Sequence, residues 1–74
     1  MTHGPHRRVV VTVNGEAYEA VPGATVADLV AAWCRSPKGV AVAVDGTVVP
    51  RSEWDATSMA PGSTVEVVTA AAGG

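Results

Sequence analysis

An α+β fold, with a mixed sheet of five strands and one main helix packed on one face, follows from three features of the sequence. Strand-like segments and a single helical segment succeed one another as strand, strand, helix, strand, short strand, strand. Two turn pairs, Asn14-Gly15 and Asp45-Gly46, each sit between strand-like segments. Only one stretch carries an apolar stripe of helical period, which excludes a run of βαβ units and any ferredoxin-like arrangement with two helices.

Residues 1–8 (MTHGPHRR) are polar, contain Gly4 and Pro5, and show no hydrophobic period, so they are expected to form a flexible N-terminal extension. The segment 9–13 (VVVTV) is strand-like, and Asn14-Gly15 supplies the positive φ angles of a type I′ turn. With a two-residue loop, 16–21 returns antiparallel, and Val13 faces Glu16, Val11 faces Tyr18 and Val9 faces Ala20. The face shared by Val11 and Tyr18 is expected to be buried.

Pro22-Gly23 ends that strand, and Thr25 followed by Asp28 places a cap and an acid at the start of a helix. Val26, Leu29, Val30 and Trp33 fall at i, i+3, i+4 and i+7, a stripe that predicts a helix over 26–35, stopped by Ser36, Pro37 and Gly39. A third strand over 39–45 sets Val40, Val42 and Val44 on one face and Ala41 and Ala43 on the other. After Asp45-Gly46, the strand 47–49 stays short because Pro50 has no amide hydrogen for a ladder. An irregular segment, 50–59, is expected next. The last strand, 63–69, turns Val65 and Val67 away from Glu66 and Val68, and 70–74 (AAAGG) is expected to project as a flexible arm. A hairpin, a right-handed crossover through the helix and a last strand inserted beside the first make a β-grasp domain over 9–69.

Composition narrows the function. The chain has 74 residues, 15 of them Val and 13 Ala, with no Phe, so small side chains build one compact core. A domain of this size has little volume left for a deep, well-supported active site, so it is expected not to be an enzyme. The net charge is −2 and no basic run occurs, so nucleic acid and membrane are not expected partners. One cysteine precludes an intrachain disulfide, and Cys34 with His3 and His6 lacks zinc-ligand spacing, so no metal is expected. There is neither an apolar span nor a signal-like start, and the expectation is a cytoplasmic protein, monomeric when free.

The ending Gly73-Gly74 is the feature that points to chemistry. Without Cβ atoms, two glycines can thread a narrow slot, and at about 3.4 Å per residue the arm 70–74 reaches roughly 17 Å beyond the body. An α-carboxyl group has a reference pKa of about 3.5, so at neutral pH it is an anion and a poor electrophile. Another enzyme has to activate it. Acyl adenylation supplies a leaving group, after which a sulfur nucleophile can displace AMP. The glycines of this chain lie scattered at turns and form no phosphate-cradling loop, so ATP is consumed by the activating partner and no cofactor is expected to be bound.

Four segments, VNGE at 13–16, ATVADLV at 24–30, VAVDGTVVPRSEW at 42–54 and VEVVTAAAGG at 65–74, together resemble the ThiS family of sulfur carrier proteins. The resemblance spans 9–74, and VVPRSEW is its most particular part. It implies a carrier whose terminal glycine, here Gly74 with Gly73 as its slender neighbour, is adenylated by a ThiF-type adenylyltransferase. The glycine is then converted to a thiocarboxylate with sulfur from a donor system such as a cysteine desulfurase. Thiazole synthase (ThiG) uses that sulfur in thiamine biosynthesis. Three positions depart from the family pattern: Asp45 where Asn is frequent, Ser63 where an acid often follows the turn glycine, and Ala72 where a third glycine is common. A ubiquitin-like modifier and the small subunit of molybdopterin synthase are the alternatives that share the Gly-Gly ending.

The remaining residues have plainer readings. Cys34, four residues after Val30, suits a partly buried small hydrophobe better than a persulfide carrier. Trp33 and Trp54 are expected to cap the core. Arg51 either bonds nearby carbonyls or helps dock a partner. The sheet face turned away from the helix is expected to carry Val10, Thr12, Ala41, Ala43, Glu66 and Val68. It is either an ordinary exposed face or a docking patch, centred on Val10, Ala41, Ala43 and Val68, shared by the activating enzyme and thiazole synthase.

Overall fold

The computed structural model describes residues 8–69. The elements are strands β1 (Val9–Val13) and β2 (Glu16–Ala20), helix α1 (Val26–Trp33), strands β3 (Val40–Val44) and β4 (Thr47–Val49), a 3₁₀ helix (Arg51–Ala56) and strand β5 (Thr64–Thr69). They form one mixed sheet in the order β2-β1-β5-β3-β4, with β5 parallel to β1 and antiparallel to β3. This is the β-grasp arrangement. The expected extension, in its residues 1–7, and the expected arm, 70–74, lie outside the described residues.

Turn chemistry sets both hairpins. Asn14 and Gly15 take φ of 50° and 86°, Asp45 and Gly46 take 50° and 85°, and both pairs are two-residue loops of the primed type. The first fixes the expected register, with Val13 opposite Glu16, Val11 opposite Tyr18 and Val9 opposite Ala20. The second places Val44 opposite Thr47 and Ala43 opposite Val48.

The same two residues also hold β5. The strand is paired in register with β1 only at Thr12↔Thr64 and Val13↔Val65, because β1 turns away at Asn14 while β5 runs on to Thr69. Beyond that point the backbone of Val67 has no strand on its β1 side. Asn14 takes that place: its Nδ2 donates to the Val67 carbonyl at 3.1 Å, and its Oδ1 accepts from the Val67 amide at 2.8 Å. A carboxamide is suited to this because it offers a donor and an acceptor side by side, as a strand residue does. Near the other end, the Asp45 amide donates to the Thr64 carbonyl at 2.7 Å, and the Asp45 Oδ1 accepts from the Thr64 amide at 2.9 Å. An acceptor is all that the Asp45 side chain supplies there, so aspartate serves at this position as asparagine would.

Helix α1 starts as the sequence indicates. Thr25 Oγ1 accepts from the Asp28 amide at 3.2 Å and Asp28 Oδ2 accepts from the Thr25 amide at 3.0 Å, a reciprocal capping box. Val26, Leu29 and Val30 face the sheet and are buried. The helix ends at Trp33, two residues before the expected limit, because Cys34 is already extended (φ −125°, ψ 144°) while its amide closes the last turn on the Val30 carbonyl. Pro37, which disfavours helical geometry in Ser36, stands three positions beyond Cys34 and keeps the helix from resuming.

Two expectations need correction. Trp33 does not cap the core: it is 39% exposed and meets Tyr18 edge-on, with ring centroids 6.4 Å apart and planes at 74°. It stands in the last turn of α1, where the ring spreads over half-buried Tyr18 of the edge strand β2 instead of entering the core. The segment 50–59 is not irregular either. It opens with the 3₁₀ helix, then pairs back on the start of α1, with the Val26 amide donating to Thr57, the Met59 amide donating to Ala24, and a bridge between Thr25 and Ser58. The bridge lets Met59 reach the core, where it is buried.

The core itself is Leu29 with Val11, Val13, Val26, Val42 and Val65, all fully buried, closed on one side by Trp54. Trp54 is 5% exposed and donates its indole N–H to the Val49 carbonyl at 3.0 Å. Valine is too short to span from sheet to helix layer at the β4 end, and the indole fills that distance while its polar atom stays paired.

Candidate functional site

Gly73 and Gly74 lie outside the described residues, but the strand that leads to them is well defined. β5 lies between β1 and β3, and its last residue, Thr69, is opposite Val40 at the start of β3. Thr69 therefore lies beside the loop that returns the chain from α1 to the sheet.

The open face of the sheet carries the expected residues, in two separate groups. Ala41 is opposite Val68, and Ala43 lies between Glu66 and Val48. Val68 is 61% and Val48 68% exposed and Ala41 is exposed too, so with half-buried Ala43 they make one apolar strip across β5, β3 and β4. Val10 is 47% exposed but stands at the opposite end of the sheet, where its carbonyl accepts from Gly62. Val68 lies six positions along the chain from Gly62, about 20 Å if extended throughout. Thr12, Thr64 and Glu66 occupy the ground between them, so Val10 does not extend the strip. Val48 is the member that inspection of the sequence missed. The Asp45-Gly46 turn contained the signal, since a two-residue loop there puts Val48 opposite Ala43.

Arg51 belongs to the other layer. It opens the 3₁₀ helix and lines a groove of about 370 Å³ between that helix and α1, together with Arg35, Cys34 and Trp54. Cys34 is a free, half-buried thiol packed against the core, in keeping with a small hydrophobe. His3 and His6 fall outside the described residues. Among the described residues no group of three or more His, Cys, Asp or Glu is placed to hold a metal, and no helix is long and apolar enough to cross a membrane.

The β-grasp scaffold agrees with what known proteins show. The sequence profile of the ThiS family matches residues 11–74, nearly the whole chain and its Gly-Gly ending included. The chain belongs to the ThiS family. Among solved structures, the crystal structure of the thiamine biosynthesis protein ThiS from Geobacter metallireducens is 33% identical, with a TM-score of 0.70. The alignment covers 89% of this chain and 100% of that one. No curated protein matches.

Membership makes the segment VVPRSEW at 48–54 intelligible in physical terms. Val48 faces out on the strip and Val49 is buried. Pro50 ends the β4 ladder, and its carbonyl accepts from Glu53 to start the 3₁₀ helix. Trp54 then swings back under Val49. One run of seven residues thus contributes to the strip, the core and the groove alike.

Proposed function

We propose that this chain is a sulfur carrier of thiamine biosynthesis, a cytoplasmic protein co-substrate that carries sulfur as a thiocarboxylate on Gly74. The observation that carries this reading is the ThiS-family match, which runs to Gly74. The name of the Geobacter relative, a thiamine biosynthesis protein, supports it. A ThiF-type adenylyltransferase directs a carboxylate oxygen of Gly74 onto the α-phosphorus of ATP, and pyrophosphate leaves. The terminal sulfur of a persulfide, supplied by a donor such as a cysteine desulfurase, then attacks the acyl carbon and AMP leaves. A thiol reductant cleaves the S–S bond of the resulting acyl disulfide, releasing the thiocarboxylate and forming a disulfide with the donor's sulfur. Thiazole synthase (ThiG) takes the sulfur from the resulting thiocarboxylate. ATP belongs to the partner's site, and the carrier contributes the arm, the strip and the scaffold that presents both.

The test is intact mass after incubation with ATP, an active ThiF-type enzyme and a sulfur donor, beside a variant lacking Gly74. Exchange of one oxygen for one sulfur in the full chain alone is the expected outcome. A full chain left unmodified by an enzyme that is active on its own carrier overturns the thiamine assignment, and directs testing to the modifier and molybdopterin synthase alternatives.

The strip of Val68, Ala41, Ala43 and Val48 is the docking face in this proposal, lying beside the strand that leads into the arm. Ala41→Glu places a charge opposite Val68 without crowding Glu66. It is expected to raise KM about tenfold with both the adenylyltransferase and thiazole synthase, since an interface closing over an unpaired carboxylate loses at least ~1.4 kcal/mol. The melting temperature should stay near that of the parent. An unchanged KM with both enzymes removes the strip from the docking role.

A further inference from the structure

We propose that the groove between α1 and the 3₁₀ helix is a second docking site, for a short acidic segment of a partner protein that inserts one apolar side chain. The apolar part of the lining is Ala27, Val30, Ala31, Pro37 and Trp54, of which Val30 and Trp54 are buried, with Cys34 half-buried beside them. A groove of about 370 Å³ is at the small end of ligand-binding pockets, enough for one large side chain and the backbone carrying it.

Charge selects the occupant. The described cations are Arg8, Arg35, Lys38 and Arg51, and among the described residues only Arg8 forms an ion pair, with Glu19 at 3.6 Å. Arg35 and Arg51 both line the groove, one from each wall, and Lys38 follows the lining residue Pro37. Asp55 is the single acid in the lining. In a chain of net charge −2, the unpaired positive charge among the described residues thus collects at one place, around the groove.

A compact phosphate does not fit this pattern. The groove runs to the C-terminal end of α1, whose carbonyls present negative partial charge, and Asp55 opposes a multiply charged ion further. Guanidinium groups at a rim suit carboxylates spaced along a peptide, each met singly, with the apolar residue between them directed to the floor. The groove lies on the helix layer and the strip on the open face, so one carrier can engage both at once. Nothing in this inference uses the chemistry of Gly74, and its failure is separable from failure of the sulfur-carrier reading.

The experiment is an NMR titration of the isotope-labelled full chain with the acetylated, amidated peptide Glu-Asp-Leu-Glu-Asp. Controls are Gln-Asn-Leu-Gln-Asn, which lacks the charges, and Glu-Asp-Gly-Glu-Asp, which lacks the anchor. The acidic peptide should give saturable shifts at Ala31, Cys34, Arg51 and the Trp54 indole, weakened by added salt, and should slow alkylation of Cys34 by iodoacetamide. Each control peptide, and the R35E/R51E variant, should bind about tenfold more weakly. The milder R35Q/R51Q variant keeps side-chain length and should lose about threefold, in line with two exposed ion pairs. Absence of saturable shifts, equal binding of the neutral peptide or of both variants, or shifts confined to the open sheet face would overturn the proposal.

Discussion

Trp54→Ala is expected to destabilise the domain by about 4 kcal/mol, the range for removing a buried indole together with its cavity. The residue closes the core at the β4 end, and its loss also leaves the Val49 carbonyl without its donor. A domain of 74 residues has a total stability of about 4–11 kcal/mol, so the variant stands at the edge of folding. Urea unfolding followed by far-ultraviolet circular dichroism is the suitable measurement, because the remaining Trp33 is partly exposed and is a poor reporter of the core. Trp54→Phe keeps most of the volume and loses only the indole hydrogen bond, so about 1–2 kcal/mol is expected. A Trp54→Ala midpoint displaced by less than the equivalent of 1 kcal/mol would show that the indole does not support the core.

The second large effect is expected at Asn14, an exposed residue in a turn. Asn14→Ala costs about 1 kcal/mol or more for holding a residue with a Cβ but no side-chain amide at φ 50°. It also leaves the Val67 amide and carbonyl without their partners, at about 1 kcal/mol each. A sum of about 3 kcal/mol is large for a surface position. Asn14→Gly separates the two contributions, since it relieves the turn and still frees Val67. Hydrogen exchange at the Val67 amide should quicken in both variants, and in the glycine variant with the smaller loss of stability. Unchanged exchange at Val67 would mean that the clamp does not hold β5.

Much of the scaffold was legible because its signals are local. Asn14-Gly15 dictates its own loop length, and loop length dictates register, so the partners across the first hairpin followed without knowledge of the third dimension; Asp45-Gly46 held the same signal for the second. The capping pair Thr25 and Asp28 marked the helix start in the same way. What sequence could not show depends on distant neighbours. Trp33 and Trp54 both look like core residues in their own segments, and only the position of Tyr18 and the depth of the β4 end distinguish the exposed ring from the buried one. The bridge of Thr25 to Ser58 joins segments thirty-three residues apart and leaves no local periodicity. At the candidate site, alternation assigned the open face correctly, but Val10 and Val68 proved to be at opposite ends because β1 and β5 overlap at only two paired positions.

The placement of β5 has a mechanical consequence. If the proposed function is right, a partner that draws on the chain beyond Thr69 would pull along β5, and that strand lies between β1 and β3. Its ladder bonds to β3, and those to the Asn14 and Asp45 side chains, run across the direction of pull. They share the load and yield together, as in shear, where an edge strand peeled from one end would give way bond by bond. Under the proposed function, tension on the chain beyond Thr69 would thereby be spread over the sheet instead of peeling away one strand.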